Sequence, residues 1–151
     1  MIQSLAKLII LVVLCLLYSC SSGVKDIVKG FWTINFMEYS QNQEILYEFG
    51  TNILIFKKKN ECTIPAYRED YRNPSNRQGI WKITQQGEQY FLTINTENEI
   101  FAGTHKICFK KDYQKKLIKM IIQSDYLYIE SSKFMFNFDR DNKIIDNYLC
   151  W

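Results

Sequence analysis

From residue 30 onward the apolar residues recur at every second position, in short runs broken by turn-forming residues. Trp32, Ile34 and Phe36 alternate with Thr33 and Asn35, and Ile118, Met120 and Ile122 alternate with Lys119. Tyr90, Leu92 and Ile94 form a third such row, and Phe134, Phe136 and Phe138 a fourth. A period of two puts one face of each strand into a core and the other into water. Tight turns are predicted at 59–60, 85–89, 96–99, 111–115 and 124–125. Residues 44–58 read either as one long strand bent at Gly50 or as two short ones. Residues 61–66 are a short strand, and the strands that follow start at Gly79, Ile100 and Tyr126. No convincing amphipathic helix interrupts this series. The expected fold is all-β: a single antiparallel up-and-down barrel of about eight strands, because a long meander hides its edges best by closing on itself. A sandwich is the alternative.

A different pattern precedes the strands. Lys7 is the only charge before residue 20, and residues 8–17 are an apolar run too short to span a bilayer comfortably. Ser19 is a small residue before Cys20, and Ser21, Ser22 and Gly23 turn polar at once. Leu17, Ser19 and Cys20 resemble the lipobox of bacterial lipoproteins. That resemblance implies cleavage before Cys20, diacylglycerol on its sulfur and often a third acyl chain on its amine. Two or more chains make attachment stable where one is marginal. In such proteins a Ser after the lipidated Cys favours the outer membrane of the cell envelope. The chain then divides into a signal peptide (1–19), a lipidated tether (20–29) and a barrel domain (30–151). An uncleaved signal anchor is the competing reading.

Once Lys7 is set aside, 18 cationic residues face 16 anionic ones. This near-balance argues against nucleic acid as a partner. Cys62, Cys108 and Cys150 remain after Cys15 leaves with the signal and Cys20 takes lipid. In an exported compartment they form one disulfide plus a free thiol, or three buried thiols, and the sequence does not choose a pairing.

Gly30-x-Trp32 at the start of the first strand resembles the signature of lipocalins, and Gly79-x-Trp81 echoes it midway. The pattern is similar to the lipocalin-like (calycin) domains of bacterial lipoproteins. The resemblance implies a barrel with one closed end, where a late basic residue packs over the tryptophan. Lys133 or Arg140 would do this over Trp32 as a cation–π contact. If the first strand runs upward from Trp32, the turns at 59–60, 85–89 and 111–115 all lie at the lower end. The long polar segment 67–78 then lies at the upper end. Lys57, Lys58, Lys59, Lys110, Lys111, Lys115 and Lys116 gather below, where the tether enters. They suit anionic head groups, or they simply keep hairpins soluble.

Convergent reactive groups are hard to find. His105 is the only histidine, and Cys108, an odd step away on the same strand, would face the opposite side. No Cys or His spacing suggests a metal, and no Gly-rich loop suggests a phosphate. Asp139-x-Asp141 lacks the Gly and the ligand pattern of a calcium loop. No metal and no cofactor is expected, and enzyme activity is not. The leading expectation is a membrane-anchored carrier holding a small apolar ligand in its barrel. The alternative is a barrel filled by its own side chains that acts on an envelope or extracellular protein. Its candidate binding loop carries Tyr67, Arg68, Tyr71, Arg72 and Arg77. A third reading, an enzyme using Tyr67, Arg68 and Tyr71, has least behind it.

Overall fold

The fold is seen in a computed structural model that describes residues 22–40, 43–69, 73–135 and 150. Eight antiparallel strands form one closed barrel: β1 (Gly30–Tyr39), β3 (Ile53–Phe56), β4 (Glu61–Thr63), β5 (Gln78–Gln86), β6 (Gln89–Thr96), β7 (Gly103–Asp112), β8 (Leu117–Gln123) and β9 (Leu127–Phe134). A two-residue strand, β2 (Gln43–Glu44), pairs only with the end of β1. Each barrel strand pairs with the next in sequence, and β9 returns to pair with β1 from Thr33–Ser132 to Tyr39–Leu127. Closure gives every barrel strand a neighbour on both sides over at least part of its length, as the short turns lead one to expect. Apolar side chains point inward and polar ones outward, the reverse of a barrel embedded in lipid.

The interior is dense with large side chains. Trp32, Trp81, Phe56, Phe101, Phe109, Ile34 and Met37 are among those fully buried. Trp81 meets Phe56 edge-on at 5.3 Å, and Trp32 lies 6.3 Å from Phe109. A barrel of eight strands is just wide enough to be filled in this way.

Five sequence expectations shift. Phe36 does not face the core, because a bulge between Ile34 and Phe36 in the β1–β9 pairing reverses the alternation. Met37 takes the inward place, and Phe36 packs outside against Tyr128 at 6.1 Å. Residues 44–58 are neither a single strand nor a simple pair: Leu46–Glu48 form a 3-10 turn before β3 begins. The strand expected from Ile100 starts at Gly103, with Ile100 and Phe101 buried in the preceding turn. The last strand ends at Phe134, which is 68 % exposed, and Phe136 and Phe138 lie outside the described residues. Within the expected tether, residues Ser22–Val28 form a helix, α1, with Val24, Ile27 and Val28 buried in the core.

Gly79 echoes Gly30 in sequence, but it is glycine for a different reason. A Cβ there would stand 2.9 Å from the Asn95 carbonyl oxygen and 3.2 Å from Cys62 Sγ. The first neighbour is backbone in the paired strand β6, so β5 and β6 would have to separate. Gly79→Ala is expected to destabilise the fold by about 1–3 kcal/mol, as overpacking does. A urea midpoint equal to that of the parent chain would refute this.

Candidate functional site

The two ends of the barrel hold the residues that the sequence singles out. The lower end is built from the start of β1, the close of β9 and α1. Trp32 points inward at the base and donates its indole N–H to the Val28 carbonyl at 2.6 Å. Lys133 points inward opposite it, with Nζ 4.4 Å from the Trp32 ring centroid. The ammonium group also donates to the carbonyls of Ile27 and, at 3.0 Å, of Lys29. These carbonyls end α1 and have no following helical turn to accept from. A partly buried cation is stabilised by such acceptors and finds a third in the ring face. One side chain thus ties β9, β1 and α1 together. Arg140, the other residue considered for this place, lies outside the described residues, as does Cys20.

Trp81 repeats part of this arrangement. Its indole N–H donates to the Lys57 carbonyl at 3.2 Å, and Lys25 Nζ of α1 lies 5.8 Å from its ring. Both tryptophans of the repeated Gly-x-Trp pattern therefore anchor backbone near the lower end.

At the upper end, loop residues fold across the opening. Phe49 stacks on Tyr67 at 4.7 Å and meets Phe101 edge-on at 5.8 Å. Phe49 and Tyr67 also form an isolated bridge, and the Arg68 amide donates to the Glu48 carbonyl at 3.0 Å. Ile45, Ile64, Ala66 and Ile100 are buried beside them. Asn98 is buried as well, donating to the Pro65 carbonyl at 3.3 Å and accepting from the Ile100 amide at 3.2 Å. That is a satisfied polar strut between two upper loops.

Of the candidate loop residues, Tyr67 is half-buried in this cover, and burial, with Glu48 and Tyr39 nearby, pushes its phenol pKa up. Arg68 is exposed and donates from Nε to the Phe49 carbonyl at 3.3 Å. Arg77 closes the 3-10 turn Ser75–Arg77, and its carbonyl accepts from the Ile64 amide at 2.9 Å. Tyr71 and Arg72 lie outside the described residues. Sequence reading missed Phe49 and Phe101, because a lone aromatic in a loop has no periodicity to mark it as core.

His105 is fully buried and faces inward, with Nε2 3.1 Å from the Phe101 carbonyl and its ring 5.9 Å from Tyr126. Cys108 lies on the outer face, bonded to Cys150, so the two form no dyad. Burial lowers the His105 pKa, and the Phe101 carbonyl only partly opposes this. The folded state therefore holds a neutral imidazole, while the unfolded chain takes up a proton near pH 6.5. Stability from this group is complete above that pH and falls as pH drops below it, by at most about 1.4 kcal/mol per unit. Urea melts at pH 7.5 and 5.5, chosen roughly one unit either side of the free imidazole value, should differ in the parent chain and less in His105→Gln. An equal difference in both would refute this.

Cys62 is the one free cysteine among the described residues; it is buried, and its thiol is pushed up to about 11, chiefly by burial. Such a thiol is a poor nucleophile at neutral pH. Among the described residues, no three His, Cys, Asp or Glu side chains cluster to hold a metal, and no helix is long and apolar enough to cross a membrane. No protein-family model, curated protein or solved structure matches this chain.

Proposed function

We propose that this chain is a lipid-anchored protein of the bacterial cell envelope whose barrel is a filled scaffold, acting through its surface on another envelope component. The observation that carries the proposal is the closure at both ends. Phe49 and its partners lie over the top, α1 with Trp32 and Lys133 lies across the base, and bulky side chains occupy the space between. A carrier needs a way in and an apolar hollow, usually a few hundred cubic ångströms, whereas the pocket of about 620 Å³ beside β4, β5 and β6 is lined by polar and charged groups that include Lys57, Glu61, Gln78, Asn95 and Glu97. The anchor reading is supported by the lipobox-like Leu17-x-Ser19-Cys20 and by the Cys108–Cys150 disulfide, which belongs to an oxidising compartment. The lipocalin-like architecture favours the second reading, carriage of a small apolar ligand, but fold does not assign function.

Native mass spectrometry of the chain purified from its own host separates the two. A filled scaffold gives the bare protein mass and binds no fluorescent fatty-acid probe, and Phe49→Ala, although it uncovers the top, gains no binding, because the space beneath stays occupied. A reproducible small molecule released on denaturation would establish the carrier instead. The intact mass of the membrane-extracted chain tests the anchor: acyl chains on Cys20 and loss of residues 1–19 are expected, and Cys20→Ser should carry no lipid.

A further inference from the structure

We propose that the closed lower end of the barrel is a docking face for an anionic bilayer surface. In this arrangement Phe31, Tyr113 and Phe134 enter the interfacial layer and the turn lysines meet the headgroup phosphates. Three large aromatics are left in water at this end: Phe31 is 69 % exposed, Phe134 68 % and Tyr113 59 %. Phe31 opens β1 and Phe134 closes β9, which are neighbours paired from Thr33–Ser132 upward. Tyr113 sits in the turn between β7 and β8. Around them Lys57, Lys58, Lys59, Lys110, Lys115 and Lys116 are exposed. Lysines alone would be explained by turn solubility. That account does not explain why aromatic rings sit exposed among them, since rings beside cations are the composition of a membrane interface.

The charge is polarised along the barrel. Four acids share the lower end, and one of them, Asp26, is paired to Lys29 at 2.6 Å. The Asp112 carboxylate accepts the Lys115 amide at 3.0 Å; Glu61 and Glu88 are the others. Among the described residues, the upper end instead exposes Glu44, Glu69, Glu97, Glu99 and Asp125 against two exposed cations, Arg68 and Lys106. An anionic surface therefore attracts the lower end and repels the upper one. Chain entry is on the same side. Cys20 precedes Ser22, the first residue of α1, by two positions, which span at most about 7 Å of extended backbone. The inference rests on the lipid-anchor reading for how closely the face is held, and on charge and exposed rings for which face it is.

The test uses the full chain from its host, reconstituted into vesicles. Bimane labels at Glu88→Cys, in the lower turn between β5 and β6, and at Asp125→Cys, in the upper turn between β8 and β9, report contact with a lipid-borne quencher. In vesicles containing phosphatidylglycerol the lower label should be quenched and the upper one not. In phosphatidylcholine alone, or at raised salt, the difference should shrink. Combining Lys57→Glu, Lys58→Glu and Lys59→Glu should lower the docked-to-undocked ratio on the order of 100-fold, at roughly one kcal/mol per lysine. Equal quenching at both labels, or none at either while the chain stays vesicle-bound, would overturn the docking face. If the intact mass shows no acyl chains, the anchor reading fails separately. Docking is then read as salt-sensitive sedimentation with anionic vesicles that the triple variant loses, and its absence in the parent chain would refute the proposal.

Discussion

Trp32→Ala is expected to be among the most damaging single substitutions in this chain, lowering stability by about 3–5 kcal/mol. The indole fills the base of the barrel against Phe109, caps the Val28 carbonyl and presents its face to Lys133. Alanine removes all three at once and leaves a cavity beside the partly buried Lys133 ammonium group. For a domain with about 5–15 kcal/mol in hand, that is enough to populate the unfolded state noticeably on mild warming. Trp32→Phe should recover most of the packing but leave the Val28 carbonyl unpaired, at about 1–2 kcal/mol. Lys133→Met isolates the cationic part. A double-mutant cycle of Trp32→Phe with Lys133→Met should return a coupling on the order of 1 kcal/mol. Urea denaturation at fixed pH measures all of these. Were Trp32→Ala to shift the midpoint by no more than a surface substitution does, the base would not be the keystone described.

Removing the Cys108–Cys150 bridge should have an effect of similar size. The cross-link spans a sequence separation of 42 residues, and closing a loop of that length in the unfolded chain is worth about 4 kcal/mol on the chain-entropy account. The bridge also has a structural task. The pairing of β6 with β7 stops at Ile107, so β7 beyond that point lacks a strand on one side. The Cys150 amide donates to the Phe109 carbonyl at 2.9 Å in that stretch. Cys150→Ser, or reduction of the parent chain, should therefore lower the urea midpoint and raise amide exchange along the lower half of β7. Identical midpoints for oxidised and reduced protein would show that the bridge does not hold the fold.

Much of this molecule follows from local rules. Alternation of apolar and polar residues determined the strands, and short turns between them determined that neighbours in sequence pair in space. A chain of eight such strands then has few ways to hide its edges, so the barrel and the placement of each turn at one end or the other were readable. The resemblance to lipocalins left Lys133 and Arg140 both open as the basic residue over Trp32, and only the fold places Lys133 there. The rest depended on contacts between residues far apart in sequence. The bulge that turns Phe36 out arises in the pairing of β1 with β9, which no window of sequence contains. Phe49 and Phe101 became a lid because two loops from different parts of the chain meet above the same opening. The choice of Cys150 as the partner of Cys108 required residue 150 to lie beside the outer face of β7. Periodicity carries the strands because burial of a face is decided residue by residue along one segment, whereas closure of the ends is decided only when the whole barrel has formed.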